Sequence, residues 1–376
     1  MEKQSGLEGR VEVYIGAEEI ISPLGDSAQE NFKNALLGKT GLKKVSHFFG
    51  ENKPAFVGKL DSYAGSDRFF DLSKNTVQKS LKNIASSAHD DRWLLLLSTT
   101  KGDIDKLENH DLEKLNTNRI ATQLKNEFEM IDEVEVISVA CISGLAAVIH
   151  AADSLRLEKY DHILVLGIDL LTEFTSKGFE SFFALDENQC RPFDNERKGL
   201  NLGEAAASVV LSRDAAIFNS TPVEYVSGAT SNDANHISGP SRNGEGLYRA
   251  VQRAIDFAEI EPQWIDYISA HGTGTRYNDD MESVAFTRAI LNEKPVNSLK
   301  GYFGHTLGAS SLIEIVMGIQ SMKNNTLLPT FGCESPGTSE KINVLTQPIK
   351  TNVDLMLKTA SGFGGCNAAG IFKKLS

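Results

Sequence analysis

One cysteine and two histidines stand where residue type and neighbours together suit chemistry. Cys141 lies in VISVACISGLAAVIHAADSL, residues 136–155, where a β-branched run gives way to an Ala/Leu-rich one. That switch puts the thiol at a strand-to-helix junction, the strand ending near Val139 and the helix starting near Ile142 or Ser143. Unpaired backbone N–H groups and the helix dipole at such an end stabilise negative charge. The thiol is therefore expected to ionise more readily than a free cysteine. Ser143 and Gly144 are small enough for another backbone to approach closely. The arrangement is similar to the elbow that presents a serine in hydrolytic folds. A buried structural thiol is the competing reading, since cysteine packs like a small hydrophobe.

A cysteine nucleophile needs partners. Of eight histidines, His47, His89, His110, His150, His162 and His236 sit in charged, helical or turn-like sequence that sets none apart. His271 directly follows a strand pattern in YISAHGTGTRYNDDMES; Gly272 and Gly274 allow a tight loop, and Thr273 and Thr275 can donate hydrogen bonds. His305 sits between glycines in NSLKGYFGHTLGASSLIE, just before a helical pattern, with Lys300 five residues earlier and Glu314 nine later. A glycine cluster, SGFGGCNAAG at 361–370, closes the series. Its backbone N–H groups can supply half of an oxyanion hole, or the cluster is only a tight turn.

The 376-residue chain is 41% hydrophobic and 23% charged, an ordinary globular composition that suggests two domain-sized units or one two-lobed domain. A net charge of −12 argues against general nucleic-acid binding. Cys141, Cys190, Cys333 and Cys366 form neither a CxxC pair nor a zinc-like spacing. MEKQSGLEGR at the start lacks the apolar core of a signal peptide. A cytoplasmic protein with reduced thiols is expected. The apolar stretch around Cys141 is long enough to span a membrane. Ser138, Ser143, His150 and Asp153 within it, and its division into two elements, point to no membrane span.

Strand patterns recur at VEVYIGA, RWLLLLST, EVEVISV, HILVLGI, AAASVVLS, PVEYVSGA, WIDYISAH and LMLKTASG. Helical patterns follow several of them, at 144–159, 246–258, 280–291 and 308–324. The alternation predicts an α/β fold with buried sheets. In each half a strand runs into a reactive-looking loop and then a helix, the rhythm of a duplicated unit. We set the halves at 1–215, with Cys141, and 216–376, with His271 and His305.

In order along nearly the whole chain, ISPLG, ACISG, RPFDNERKGLNLGEAA, HGTGT with NDDME, Lys300 with GHTLGA, and GFGGCNA resemble the motifs of the elongating β-ketoacyl-(acyl carrier protein) synthases, members of the thiolase superfamily. The resemblance implies a thiolase-like five-layer αβαβα fold built from two related halves. It implies a dimer, with the strand before the nucleophile near the interface. By motif, Cys141 matches the acyl-accepting cysteine, and His271 and His305 the pair that binds the malonyl thioester. Lys300 and Glu314 match the supporting charged pair. Phe363 matches the gating phenylalanine, whose N–H joins that of Cys141 in the oxyanion hole. Ile142, Thr273, Thr275, Ser361 and Gly364 are then expected to contact substrate. The implied reaction loads an acyl group on Cys141, decarboxylates malonyl-carrier protein and joins the two, with no cofactor and no metal.

Departures from the motifs suggest a specialised synthase of a pigment, polyene or polyketide pathway over a housekeeping fatty-acid enzyme. Val139 stands where threonine is usual, Ile142 where a small residue is usual, and Ser361 where a phenylalanine is common. GEAA replaces GEGA, and the segment between STTKG and VACISG is short. Three rival readings are a thiolase using Cys366 as a second cysteine, an initiating synthase, and an inactive partner subunit. His305 argues against the first two, and the complete Cys-His-His set against the third. The expected partners are acyl carrier protein and either a second copy or a related synthase-like subunit. Carrier protein is acidic, so a local basic patch is expected, with Arg191, Arg197 and Lys198 as candidates.

Overall fold

The computed structural model describes residues 11–46, 48, 54–63, 65–108, 115–236 and 239–375. His47, His110 and the N-terminal decapeptide lie outside the described residues. The strands that carry the site are β1 (Tyr14–Ile21), β2 (Trp93–Ser98), β3 (Glu133–Ile137), β4 (His162–Asp169), β5 (Ala205–Ser212), β6 (Val223–Asn232), β7 (Tyr267–Ser269), β8 (Val296–Asn297), β9 (Leu355–Gly362) and β10 (Cys366–Lys374). Around them pack α1 (Ala28–Leu36), α2 (Arg68–Leu81), α3 (Thr117–Glu127), α4 (Ser143–Arg156), α5 (Glu173–Ser181), α6 (Glu245–Ala258), α7 (Arg276–Arg288) and α8 (Ser310–Lys323).

The strand order is β3-β2-β4-β5-β1 in one set and β8-β7-β9-β10-β6 in the other. Each strand of the first set has its counterpart five strands later. The orientations match too. β1–β5 and β5–β4 are antiparallel, as are β6–β10 and β10–β9. β4–β2 and β2–β3 are parallel, as are β9–β7 and β7–β8. The sets join where Tyr14 and Ile15 of β1 pair with Glu224 and Val223 of β6.

Side-chain alternation sorts these strands into layers. In β2, Trp93, Leu95 and Leu97 face an outer core with α2 and α3, whereas Leu94 and Leu96 face the centre. In β9, Leu355 and Leu357 face a second outer core with α6 and α7, and Met356 faces the centre. The central core holds α4 and α8 between the inner faces of both sets. The five αβαβα layers are thus outer helices, sheet, the α4/α8 pair, sheet, outer helices. Burial on all sides explains why SSLIEIVMGIQSMK is apolar around the whole of α8. It also makes Glu314 a charge inside a buried helix.

AAASVVLS and LMLKTASG match their strands end to end. The strand expected at 264–271 shrinks to Tyr267–Ser269, and the helix expected from 280 begins at Arg276. β10 falls outside the expected strands, because CNAAGIFKK is small and poor in β-branched residues. The small residues are needed there: a Cβ on Gly370 would lie 2.9 Å from Leu145 Cδ1 of α4. Pairing with β9 and β6 on both sides supplies the strand's stability instead of propensity. α5 also escaped the pattern, since EFTSKGFES is rich in hydroxyls and broken by Gly178.

The first turns of α4 and α8 touch. A Cβ on Gly144 would lie 2.8 Å from the Leu312 amide nitrogen and 2.9 Å from Ser311 Oγ. The Leu145 N–H donates to Ser311 Oγ at 2.9 Å. Gly144→Ala should therefore destabilise the protein by about 1–3 kcal/mol, outweighing alanine's better helix propensity. Urea unfolding measures this; an unchanged or raised midpoint would show that the helices can part without cost.

Candidate active site

Cys141 is held on a tight elbow between β3 and α4. Ala140 takes φ +45°, a left-handed conformation that costs energy for a residue with a Cβ. The Ser143 hydroxyl closes the elbow, accepting from the Val139 N–H at 2.8 Å and donating to the Ala140 carbonyl at 2.6 Å. β9 ends against the elbow: a Cβ on Gly362 would lie 3.1 Å from the Cys141 nitrogen. That approach brings the Phe363 N–H to the Cys141 sulfur.

His305 meets the thiol from the start of α8, with Nε2 3.0 Å from Cys141 Sγ. Its backbone is clamped by the LNLGE segment: the His305 N–H donates to the Asn201 carbonyl at 2.7 Å, and its carbonyl accepts from Gly203 at 3.1 Å. Asp169, at the end of β4, braces the turn ahead of α8. Its carboxylate accepts from the Gly308 N–H at 2.7 Å, the Thr100 N–H and hydroxyl at 2.9 and 2.8 Å, and the Thr99 hydroxyl at 3.0 Å.

His271 follows β7, and its ring meets that of His305 edge-on, with centroids 5.3 Å apart. Two carboxylates of α7 hold its loop. Glu282 accepts from the N–H groups of His271 at 2.8 Å and Gly272 at 2.6 Å. Asp279 accepts from those of Thr273 at 2.9 Å and Phe193 at 2.8 Å. Burial pushes Asp279 up to about 6 and Glu282 up to about 7. Lys300 Nζ lies 3.5 Å from His271 Nδ1 and donates to the His271 carbonyl at 3.1 Å. Glu314 pairs through Oε1 with Lys300 and, through Oε2 at 2.7 Å, with Lys358.

The tautomers follow from these contacts. His305 Nδ1 accepts from the Leu307 N–H at 3.3 Å. His271 Nδ1 faces the Lys300 ammonium, which can only donate. A neutral ring with an accepting Nδ1 carries its proton on Nε2. Burial, then the positive charges of Lys300 and its neighbours, hold both histidines well below the usual histidine range, so both stay neutral at physiological pH. The site therefore offers two buried N–H donors. The Cys141 sulfur and one nitrogen of each histidine lie within 4.8 Å of one another. With Nε2 protonated, neither ring turns a lone pair to a metal ion there.

The thiol behaves opposite to the expectation of easy ionisation. Burial pushes Cys141 up to about 11, against the pull of Lys300, Lys101 and the Phe363 N–H. A helix end lowers a thiol pKa where water also reaches it; here desolvation is larger.

Phe363 stacks on Phe179 with centroids 5.5 Å apart, and Phe182 meets it edge-on at 5.3 Å. Phe179 in turn meets the His305 ring at 6.1 Å, so an aromatic path runs from the buried histidine to the half-exposed Phe182. Thr273 and Thr275 bond each other through their hydroxyls at 2.8 Å. Ile142 is buried in the central core. Ser361 directs its hydroxyl to Asn367 Oδ1 at 2.8 Å, within the β9–β10 pair. Gly364 is exposed, with φ +82°. Arg197, a candidate for a docking patch, is instead buried and paired with Asp279 and, at 2.6 Å, Asp280, so it faces inward. Asp169 and Lys358 escaped the motif reading. Their signal is a charged residue within or closing an apolar strand, HILVLGID and LMLKTASG.

Two family models match the chain: "Beta-ketoacyl synthase, N-terminal domain" over residues 83–216 and "Beta-ketoacyl synthase, C-terminal domain" over residues 224–334. A 3-oxoacyl-[acyl-carrier-protein] synthase homolog of Saccharomyces cerevisiae is 30% identical over 94% of this chain and 96% of that protein. The 3-oxoacyl-[acyl-carrier-protein] synthase 2 of Coxiella burnetii is 25% identical over 96% and 98%. Among solved structures, a type II polyketide ketosynthase in complex with its acyl carrier protein superposes with a TM-score of 0.87 at 22% identity, covering 97% of this chain and 99% of that one. The ishigamide ketosynthase/chain length factor superposes with a TM-score of 0.85 at 24% identity, over 98% and 100%. These likenesses identify the layered architecture as thiolase-like.

The raised thiol has a direct consequence. Alkylation of Cys141 by iodoacetamide, followed by peptide mass, should rise about tenfold per pH unit from pH 7 to beyond pH 9. A plateau near neutral pH would show a thiolate already formed at rest.

Proposed function

Since the chain belongs to the β-ketoacyl synthase family and is an acyltransferase-type enzyme, we propose that it elongates an acyl chain by two carbons through decarboxylative condensation with a malonyl thioester. The observation that carries this is the pairing of one thiol with two Nε2–H donors.

A carrier-protein thioester delivers its acyl group to Cys141 sulfur, and the proton of the thiol leaves on the carrier's thiol. The N–H groups of Cys141 and Phe363 receive the carbonyl oxygen. Malonyl thioester then places its carbonyl oxygen against Nε2–H of His271 and His305. The bond to the carboxylate breaks, CO2 departs, and its electron pair becomes the enolate. Donors fixed in advance in a dry site are worth about 3–4 kcal/mol each to such a charge. The enolate carbon attacks the acyl-Cys141 carbonyl, the C–S bond breaks, and the sulfur takes up a proton. No metal or cofactor enters this sequence. Phe363 on its aromatic stack stands at the entrance, and Ile142 shapes the acyl pocket beside the nucleophile. Thr273, Thr275, Ser361 and Gly364 act by shaping the loops around substrate.

Both donor proteins in this reading are acyl carrier protein. β3 ends the first set with exposed Glu133 and Glu135 alternating with half-buried Val134 and Val136, and we place a dimer contact along it, with a second copy or a related subunit. The division between the halves falls in the segment joining β5 to β6. Four unpaired cysteines suit a cytoplasmic setting; among the described residues no helix is long and apolar enough to cross a membrane. The departures at Val139, Ile142 and Ser361 favour a polyene or polyketide-type product over a housekeeping fatty acid.

Intact mass after mixing with a series of acyl-carrier thioesters should show one acyl adduct, absent from Cys141→Ala. His271→Ala and His305→Ala should still load, yet lose about 100-fold or more in malonyl decarboxylation. No adduct from any donor, or undiminished decarboxylation, would overturn the reading. Ile142→Ala should widen the range of acyl chains loaded; an unchanged profile would remove Ile142 from the pocket wall.

A further inference from the structure

Lys358 takes no part in the chemistry above, yet it is fully buried in the middle of β9. Its ammonium lies 2.7 Å from Glu314 Oε2. It also donates to the carbonyls of Ser269 at 3.1 Å and Ala270 at 3.3 Å, the two residues before His271, and to that of Thr359. Glu314 holds Lys300 on its other oxygen, and Lys300 faces His271 Nδ1. Lys358 thus reaches His271 by two routes, through its preceding backbone and through the ion chain to its ring.

One carboxylate, Glu314, faces two ammonium groups here, and burial lowers Lys358 from the ordinary lysine range against the pull of Glu314. Burying charge is costly, and one lysine would have sufficed to neutralise Glu314. The other carboxylate coupled to Lys358 is Glu282 of α7, which already accepts from His271, Gly272, Asn278 and Thr359. Two ammonium groups and two carboxylates, Lys300, Lys358, Glu314 and Glu282, therefore stand together behind the histidine pair.

We propose that Lys358 is a positioning residue for the malonyl half of the reaction, fixing His271 from its backbone and its ring and supplying one of the positive charges behind both donors. The proposal rests on the condensation reading above. Burial opposes protonation of His271 first, then Lys300, the neutral His305 ring and Lys358; the carboxylates packed nearby are Glu282, which accepts from the His271 N–H at 2.8 Å, and Glu314, which holds both lysines. The positive charge of Lys358 favours negative charge on the enolate oxygen across the ring. Removing it makes His271 easier to protonate, so the acid limb of condensation must move to higher pH.

The test compares full-length wild type, Lys358→Met and Lys358→Arg with acyl- and malonyl-carrier thioesters. For Lys358→Met, acyl loading of Cys141 should stay within about twofold of wild type. Condensation should fall about tenfold or more, and its acid limb should rise by about one pH unit. Lys358→Arg should return the limb to its wild-type position. Parallel loss of loading and condensation with an unmoved limb would reduce Lys358 to a structural residue and overturn the proposal. Should Lys358→Met fail to fold, long-range ¹H–¹⁵N spectra of histidine-labelled wild type decide. His271 should remain a neutral Nε2–H tautomer from about pH 5.5 to about pH 8, and titration inside that window overturns the proposal. Wild type that loads acyl groups but never condenses overturns the underlying reading instead, a result distinct from any Lys358 phenotype.

Discussion

Everything at the site depends on the contact between the first turns of α4 and α8. One helix begins just after Cys141, the other just after His305. Their amino ends touch because Gly144 has no side chain to hold off the Leu312 backbone. Ser311 Oγ then caps the junction by accepting from Leu145. The two helices occupy equivalent places in the two halves of the molecule. Duplication of one α/β unit, with its halves packed face to face, thus brings the Cys141 thiol and the His305 imidazole to 3.0 Å. The sheets supply the rest of the frame: β4 presents Asp169 to the turn before α8, β7 presents His271, and β9 presents the Phe363 N–H.

Desolvation is the second constraint, and it sets the protonation state of each group. The thiol is neutral at rest because burial outweighs the nearby lysines. The histidines are neutral for the same reason, reinforced by those lysines. A site built this way cannot rely on a standing thiolate–imidazolium pair. In the condensation proposed, such a site works through donors aimed at charge that arises only during reaction, where a low dielectric strengthens them. The loop carboxylates Asp279 and Glu282 hold the backbone of this site.

Much of this was legible in the chain. The strand-to-helix switch around Cys141 and the glycines flanking His271 and His305 located all three groups, since tight turns at element ends leave residue-level marks. The alternation of apolar runs gave the α/β class. Three things were hidden. The thiol's resting state depends on how deeply three layers bury it, which no local pattern records. Arg197 reads as surface charge in DNERKG, but Asp279 and Asp280, eighty residues away, draw it inside. Strand β10 reads as a glycine loop because its small residues answer to α4 packing against it, a tertiary demand that overrides propensity.

The most direct test is a single turnover begun from protein already acylated on Cys141 and freed of donor. On adding malonyl-carrier protein, the acyl mass should leave Cys141 as one equivalent of CO2 appears, and a β-ketoacyl-carrier product two carbons longer should form at the same rate. Release of the acyl group as free acid, or CO2 evolution with the acyl group still on Cys141, would contradict the coupling of one thiol to two neutral donors on which this account rests.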